Sequence, residues 1–171
     1  VSAVRVLERK GKRLGLGSAV RFGAQHSHGD HILVMDGDGQ HSPEDGLRLV
    51  SELSPETDLL IGSRFFEHYS QQGLSRKRKL LSKTLVGLTH YWEATRKTTD
   101  PLAGLFLTKR DYILSTKTKG FKILLEILLR NPKLRVRDVP IQLGSRTHGT
   151  SKANFQELIE LAKTLAFPPG D

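Results

Sequence analysis

The chain has 171 residues, a size that suits one domain, and carries 27 Lys and Arg against 18 Asp and Glu, a formal net charge of +9. It has no cysteine, which excludes disulfides, thiolate zinc sites, iron–sulfur clusters and cysteine nucleophiles together. No apolar run approaches the roughly 18–20 residues needed to cross a bilayer, so a soluble or membrane-peripheral chain is expected. Its charge favours polyanions as partners: nucleic acid, anionic lipid head groups or phosphorylated substrates.

In chain order, Val4 to Leu7 is a short β-type run, followed by a basic turn at residues 9–13. Small and apolar residues at helical spacing predict a helix from Gly15 to His26, stopped by Gly29-Asp30. The apolar run of His31 to Met35 predicts a buried strand ending at Asp36. Ser42 as cap, Pro43 at the first helical position and Glu44 and Asp45 in the first turn open a second helix. Asp58 to Gly62 predicts another buried strand, and 65–73 a loop. Leu74 to Trp92 predicts one long amphipathic helix, Leu105 to Thr108 a strand and Gly120 to Arg130 a helix. Leu134 to Leu143 predicts a final strand and Ser151 to Leu165 a last helix. Alternating strands and helices give an α/β domain over residues 1–171, with a mainly parallel sheet flanked by helices. Ligands then gather at the carboxyl edge of the strands.

Asp36-Gly37-Asp38-Gly39-Gln40-His41 stands at such an edge. Two carboxylates spaced i, i+2 repel each other unless a cation sits between them, which fits a hard divalent ion such as Mg²⁺, with Gln40 adding a neutral oxygen. The glycine between them is expected to let the backbone turn tightly. An Asp- and Gly-rich turn with no ligand fits the same pattern. A calcium EF-hand does not, because its sixth and twelfth positions would be His41 and Leu47.

Gly15-Leu16-Gly17-Ser18-Ala19 opens a helix whose N–H groups could face a phosphate, or whose glycines serve close packing. As a dinucleotide fingerprint it is weak, since Val20 holds the third glycine's place, and it is no Walker loop. Positive charge gathers in three clusters: Arg64 after a strand, Arg76 to Lys79, and Arg146 to Lys152 after the last strand. Arg78 and Ser82 lie one helical turn apart. Each cluster alone reads as a solvated face, whereas clusters beyond strand ends also suit a converging phosphate site. Aromatic residues are 6% and no basic-aromatic motif interleaves them, which speaks against nucleic acid.

Taken together, these segments resemble the family 2 glycosyltransferases of GT-A fold, and among them the dolichyl-phosphate (polyprenyl-phosphate) mannosyltransferases. The resemblance rests on Arg9 to Ala19, Gly29 to Pro43, Ile61 to Phe65 and Lys77 to Ser82. It continues through Asp100 to Gly104, Gly120 to Lys122 with Glu126, Val139 to Ile141 and Arg146 to Lys152, all in the family's order. It implies that Asp36, Asp38 and Gln40 hold Mg²⁺ or Mn²⁺ on a sugar nucleotide's diphosphate. Arg64, Arg78, Ser82, Arg146 and Lys152 would bind the donor and acceptor phosphates, with Asp38, Arg64 and Arg78 carrying the transfer. The implied reaction moves a hexose, mannose from GDP-mannose, onto a polyprenyl phosphate with inversion, at the cytoplasmic face of a membrane and with a membrane-anchored partner or electrostatic attachment. The alternatives are a UDP-glucose-dependent enzyme of the same fold and a non-catalytic basic domain that binds nucleic acid or anionic lipid. Relative to the family's usual pattern, the chain starts after its first strand and its Asp-Asp-Gly-Ser turn, so an N-terminally truncated nucleotide-binding half is expected. Ala103, Leu105 and Val86 stand where Ser, Phe and Asn are usual.

Overall fold

A computed structural model describes residues 4–9, 15–65, 84–117 and 123–144. Its elements are α1 (Leu16–Gln25), β1 (His31–Met35), α2 (Pro43–Ser51), β2 (Leu59–Ser63), a helical stretch at 84–89 (α3), a 3₁₀ turn (Glu93–Thr95), β3 (Leu105–Lys109), α4 (Arg110–Leu114), α5 (Ile123–Arg130) and β4 (Val136–Pro140).

The four strands form one sheet in the order β1-β3-β2-β4. β2 and β4 pair in parallel, while β3 runs antiparallel to both β1 and β2. Three strands therefore share a direction, and the fourth enters the sheet from the edge where the others end. The α/β class is as expected, but the sheet is mixed rather than mainly parallel, since only the β2–β4 pairing is parallel; the reversal of β3 is the feature its apolar run did not announce. A continuous buried strand reads the same in either direction.

Helices cover both faces. Leu59 and Ile61 point to one side of β2, where they join Phe106, Ala24, Ile113 and the α5 residues Ile123, Leu124, Ile127 and Leu128. Leu60 points to the other side and packs with Leu49 of α2, Leu105, Leu107, Val139 and Ile141. The alternation follows from the two-residue period of a strand. Gly62 leaves room for this second cluster, since a Cβ there would lie 2.9 Å from Leu105 Cδ2 and 3.2 Å from Ile141 Cδ1. Ala103, Leu105 and Val86, the three departures from the family pattern, are all buried core residues.

Several sequence expectations change. Val4 to Leu7 forms no strand, and Val4 and Val6 are 95% and 87% exposed. A β-type run becomes a strand only when a neighbour takes its N–H and C=O groups, and no described strand pairs with it. The predicted 74–92 helix ends early: residues 84–89 are helical, then the chain turns. Thr95 Oγ1 donates to the carbonyls of Thr89 (2.6 Å) and Trp92 (2.8 Å), and Arg96 Nε to that of His90 (2.8 Å), capturing acceptors that a continuing helix would use. β4 is shorter than Leu134 to Leu143, because the chain beyond Ile141 turns toward the acidic loop. The short α4 was not foreseen. The described part of the Gly120 to Arg130 helix begins at Ile123. The Ser151 to Leu165 helix and most of the 65–73 loop lie outside the described residues.

α2 is as the sequence predicts. Ser42 Oγ accepts the Asp45 N–H at 3.1 Å, Pro43 occupies the first position, and Glu44 and Asp45 face the positive end of the helix. This cap fixes where the chain leaves the acidic turn.

Candidate functional site

The acidic turn lies at the carboxyl ends of β1, β2 and β4, where β3 begins. Asp36 donates its N–H to the Gly104 carbonyl at 3.1 Å. Its carboxylate rests directly on the Gly104 backbone: a Cβ at position 104 would fall 2.1 Å from Oδ2. Only glycine fits beneath it. Asp38 Oδ1 accepts the Gln40 N–H at 3.1 Å, the local bond that Asp makes in tight turns. The left-handed residue is Gly39, with φ 79°, so the glycine that lets the chain turn follows Asp38. Gly37, between the two carboxylates, has ordinary φ and open space where its Cβ would be.

Gln40 is buried and pinned to the chain beyond β4. Its Nε2 donates to the Gly144 carbonyl at 3.2 Å, and its own carbonyl accepts the Gly144 N–H at 2.9 Å. The acidic turn is thus tied on one side to the entry of β3 and on the other to the exit of β4. Among the described residues the motif is a self-bonded Asp-Gly turn.

Arg64 follows β2 and meets Asp100 as a two-pronged pair. Its Nε donates to Oδ2 at 2.6 Å and its Nη2 to Oδ1 at 2.7 Å, while its backbone N–H reaches Oδ2 at 3.3 Å. Asp100 is fully buried and the Arg64 side chain is 18% exposed. Burial pushes the guanidinium toward losing its proton, but the charge and hydrogen bonds of Asp100 and the charge of Asp36 outweigh it, so its pKa lies above the ordinary arginine value. Arg64 stands between two carboxylates, bonded to one and within the field of the other. In the chain alone it supplies part of the positive charge that Asp36 requires.

Asp138 on β4 sets this up. Its Oδ1 accepts from Thr98 Oγ1 at 2.6 Å, and its Oδ2 accepts from the Thr99 N–H and Oγ1, each at 2.7 Å. Thr98 Oγ1 in turn accepts the Asp100 N–H at 3.1 Å, and the Thr99 and Ser63 hydroxyls lie 2.6 Å apart. The segment leading into β3 is therefore nailed to β2 and β4, with Asp100 aimed at Arg64 and Gly104 placed under Asp36.

Of the sequence candidates, Asp36, Asp38, Gln40 and Arg64 come together at this edge. Arg78, Ser82, Arg146 and Lys152 lie outside the described residues. Asp100, Asp138, Thr98, Thr99 and Gly104 were not assigned roles. Asp100 and Gly104 stood only within a segment of the family resemblance, and the signal for the others is polar residues beside, or inside, an otherwise apolar strand: Thr98-Thr99 before β3 and Asp138 within β4. His41 was not singled out either. The residue is 9% exposed and its Nδ1 is buried without a partner. Burial lowers its pKa, against the pull of Asp36, with the push of Arg64, and against Asp38 and Asp45.

The glycine-rich opening of α1 serves packing in the described structure. Gly17 is buried, and Ser18 Oγ donates to the Gly15 carbonyl at 2.8 Å while also accepting from Arg9. A cavity of about 460 Å³ opens at the opposite, amino edge of the sheet, lined by Asp58, Tyr112, Arg130 and Lys133 among others. Two of its charges are internally matched, Asp58 by Arg135 and Arg130 by Glu126. Among the described residues no helix is long and apolar enough to cross a membrane, and no three His, Cys, Asp or Glu group together to hold a metal.

Residues 2–116 match the protein family described as Glycosyl transferase family 2. The chain is 33% identical over 165 residues to a dolichol-phosphate mannosyltransferase of Pyrococcus furiosus, covering 95% of this chain and 47% of that protein. It is 28% identical over 173 residues to the Saccharomyces cerevisiae dolichol-phosphate mannosyltransferase, covering 95% of this chain and 63% of that protein. The chain thus spans roughly half the length of the relatives it matches. Among solved structures, glucosyl-3-phosphoglycerate synthase from Mycobacterium tuberculosis, in complex with Mn²⁺, UDP-glucose and glycerol 3-phosphate, superposes with a TM-score of 0.61 at 18% identity, over 89% of this chain and 52% of that one. Mannosyl-3-phosphoglycerate synthase from Rubrobacter xylanophilus gives 0.60 at 19% identity, over 91% and 50%. These likenesses show the GT-A-like fold.

Proposed function

Because the chain belongs to glycosyltransferase family 2, we propose that it serves a metal-dependent, inverting transfer of a hexose, mannose from GDP-mannose, onto a polyprenyl phosphate. The observation that carries this reading is the joining of Asp36, Asp38 and Gln40 to the Arg64–Asp100 pair through Gly104. The similarity to dolichol-phosphate mannosyltransferases supports the choice of sugar and acceptor. A divalent ion fits the residues present. The donors are two carboxylates and an amide oxygen, all hard, and the first carboxylate is held in a cradle that any Cβ at position 104 would fill. Mg²⁺ and Mn²⁺ accept one or two carboxylates when substrate phosphates complete the shell. Asp36, Asp38 and Gln40 would hold the ion, and its charge would screen the departing diphosphate.

The chain's own residues do the rest. A phosphate acceptor is ionised at neutral pH, so no strong general base is needed. The requirement is alignment of acceptor and anomeric carbon against phosphate–phosphate repulsion. Arg64, fixed by Asp100, gives one positive group of set position. Arg78, Ser82, Arg146 and Lys152 are proposed to take the remaining phosphates. Work at the cytoplasmic face of a membrane, held by the net charge of +9 or by an anchored partner, is part of the same proposal.

The test is a thermal-shift titration with GDP-mannose and with UDP-glucose, each with and without Mn²⁺. Ligand at about a hundred times its dissociation constant adds roughly 2.7 kcal/mol, several degrees in a domain of this size. A Mn²⁺-dependent shift with GDP-mannose that Asp38→Ala abolishes is the expected result. A shift with UDP-glucose alone moves the donor to a glucosyl nucleotide. Metal-independent, steeply salt-dependent binding of RNA or DNA, with no nucleotide response, overturns the reading in favour of a basic binding module.

A further inference from the structure

The two outermost strands of the sheet are built differently. β4 carries Arg137, Asp138 and Pro140, charges and a residue without an N–H, the devices by which proteins keep a strand from pairing further. β1 has none of them: His31-Ile32-Leu33-Val34-Met35 holds no Lys, Arg, Asp, Glu or Pro. It is as apolar as the interior strand β2, whose Leu59, Leu60 and Ile61 are fully buried, yet Ile32, Leu33 and Val34 are half-buried and Met35 is 44% exposed. Its free side is open along the backbone as well. The Asp36 N–H donates to the Gly104 carbonyl at 3.1 Å and the Arg110 N–H to the Asp30 carbonyl at 2.8 Å. By the alternation of an antiparallel ladder, the backbone groups of Ile32 and Val34 also turn to β3. The N–H and C=O groups of His31, Leu33 and Met35 then point away from it, and among the described residues no strand takes them.

α2 extends this surface. Arg48 donates to the Pro140 carbonyl at 2.9 Å and Glu52 pairs with Arg137 at 2.7 Å, so one flank of the helix lies over β4. Next around the helix, at about 100° per residue, come Leu49, buried in the core, and Gly46, where a Cβ would stand 3.1 Å from Leu33 Cδ2 on β1. Val50 and Leu47 follow on the flank beyond β1, 49% and 68% exposed. The helix thus overhangs the free side of β1 with two large apolar residues, on the face of the sheet that carries Leu33 and Met35. An open strand beside an exposed apolar flank is a surface for pairing with another chain.

We propose that this surface pairs with its own counterpart on a second copy of the chain, β1 against β1 in antiparallel register about a twofold axis through Leu33. The pattern is self-complementary. The three residues with outward backbone groups are spaced evenly about Leu33, so His31 meets Met35 of the other copy and Leu33 meets Leu33. Every open N–H and C=O of the three then has a partner. Ile32 of each copy faces Val34 of the other as a β-branched pair. The same axis, perpendicular to the sheet, brings the Leu47 and Val50 flanks of the two copies together on one face. The cost falls at the ends, where Asp30 of one copy stands opposite Asp36 of the other. Asp36 is turned onto Gly104 in the field of Arg64, which leaves the exposed Asp30 as the residue that limits the pairing.

Sedimentation velocity of the 171-residue chain over a concentration series, with amide hydrogen exchange at its two extremes, tests this. The expected result is a monomer–dimer equilibrium in which the amides of His31, Leu33 and Met35 gain protection as the dimer forms. Those of Ile32 and Val34 are protected by β3 throughout. Leu47→Glu and Val50→Glu, at exposed positions, are each expected to weaken the dimer about tenfold or more with little change in the Tm of the monomer. Asp30→Asn is expected to tighten it about threefold. A chain that stays monomeric throughout the series overturns the inference; if His31, Leu33 and Met35 are protected in that monomer, a segment of the same chain covers β1. A dimer that leaves those three amides unprotected, or that both glutamate variants leave intact, overturns it as well, because it forms through another surface. None of these readouts uses nucleotide or metal, so this inference and the proposed transfer fail separately.

Discussion

Two arginine–aspartate forks sit at opposite edges of the sheet and do different things with the same chemistry. At the carboxyl edge Arg64 grips Asp100 at 2.6 and 2.7 Å, with the carboxylate fully buried and the arginine side chain 18% exposed. At the amino edge Arg135 grips Asp58 at 2.9 and 3.0 Å, with the side chains 53% and 12% exposed. The outer fork clamps the starts of two parallel strands, β2 and β4, in water. The inner one locks the loop that enters β3 to the end of β2, and that loop carries the glycine under Asp36. A fork in solvent trades hydration for little net gain. A buried one is dangerous to break, because the survivor is left charged and dry.

The largest effect is therefore expected from Asp100→Ala. It strands the Arg64 guanidinium and should destabilise the fold by about 3–5 kcal/mol, a fall in Tm on the order of 10 °C by calorimetry. Replacing both partners, Arg64→Met with Asp100→Leu, should restore much of that stability while leaving Mn²⁺-dependent nucleotide binding lost. If the double variant stays as unstable as D100A, the unpaired charge was not the cause. Next comes Gly104→Ala, whose Cβ would stand 2.1 Å from Asp36 Oδ2 and 2.6 Å from its Cγ. The carboxylate must swing away, for about 1–3 kcal/mol of stability, and Mn²⁺ affinity should fall well beyond that seen with Gly37→Ala, where the new methyl meets nothing within 4 Å. Equal Mn²⁺ titrations for the two alanine variants would refute the cradle.

Much of this edge was legible before any coordinates, and the reasons are local. His31 to Met35 and Leu59 to Ser63 are unbroken apolar runs, and Ser42-Pro43-Glu44-Asp45 is a helix start whose every residue has a stated reason. The acidic turn reads as a pair of carboxylates because its partners are two residues apart. What stayed hidden depends on pairing across distance. The antiparallel course of β3 leaves no mark on Leu105 to Lys109. Asp100 finds Arg64 only because Asp138, thirty-eight residues later, fixes Thr98 and Thr99. The left-handed position belonged to Gly39 rather than Gly37, since sequence shows two candidate glycines and only the carboxyl–amide bond of Asp38 to Gln40 chooses between them. Val4 to Leu7 failed as a strand for the same reason of distance: its composition is right, and no described strand lies beside it.

The outer fork gives the smallest effect and the cleanest control. Asp58→Asn removes its charge while leaving the backbone contacts of β2 and β4 in place, so the Tm change should be a small part of that caused by D100A, and should shrink further in high salt. Its pH signature is distinct. The side-chain hydrogen bonds of Arg135, against the opposing effect of burial and helped by its backbone hydrogen bond, its charge and that of Lys109 at 3.9 Å, hold the Asp58 carboxyl down from 3.8 to about 2. Because the folded pKa is the lower one, the unfolded chain takes up the proton first as pH falls. The contribution of Asp58 is complete above about pH 4 and drains away between the ordinary value of 3.8 and about 2. Acid titrations of the natural chain and of D58N should therefore differ in slope only within that window and run parallel above it. A difference that persists at neutral pH in slope, rather than as a constant offset, would mean that another group titrates with the outer fork. That would make the two edges less unlike than their burial implies.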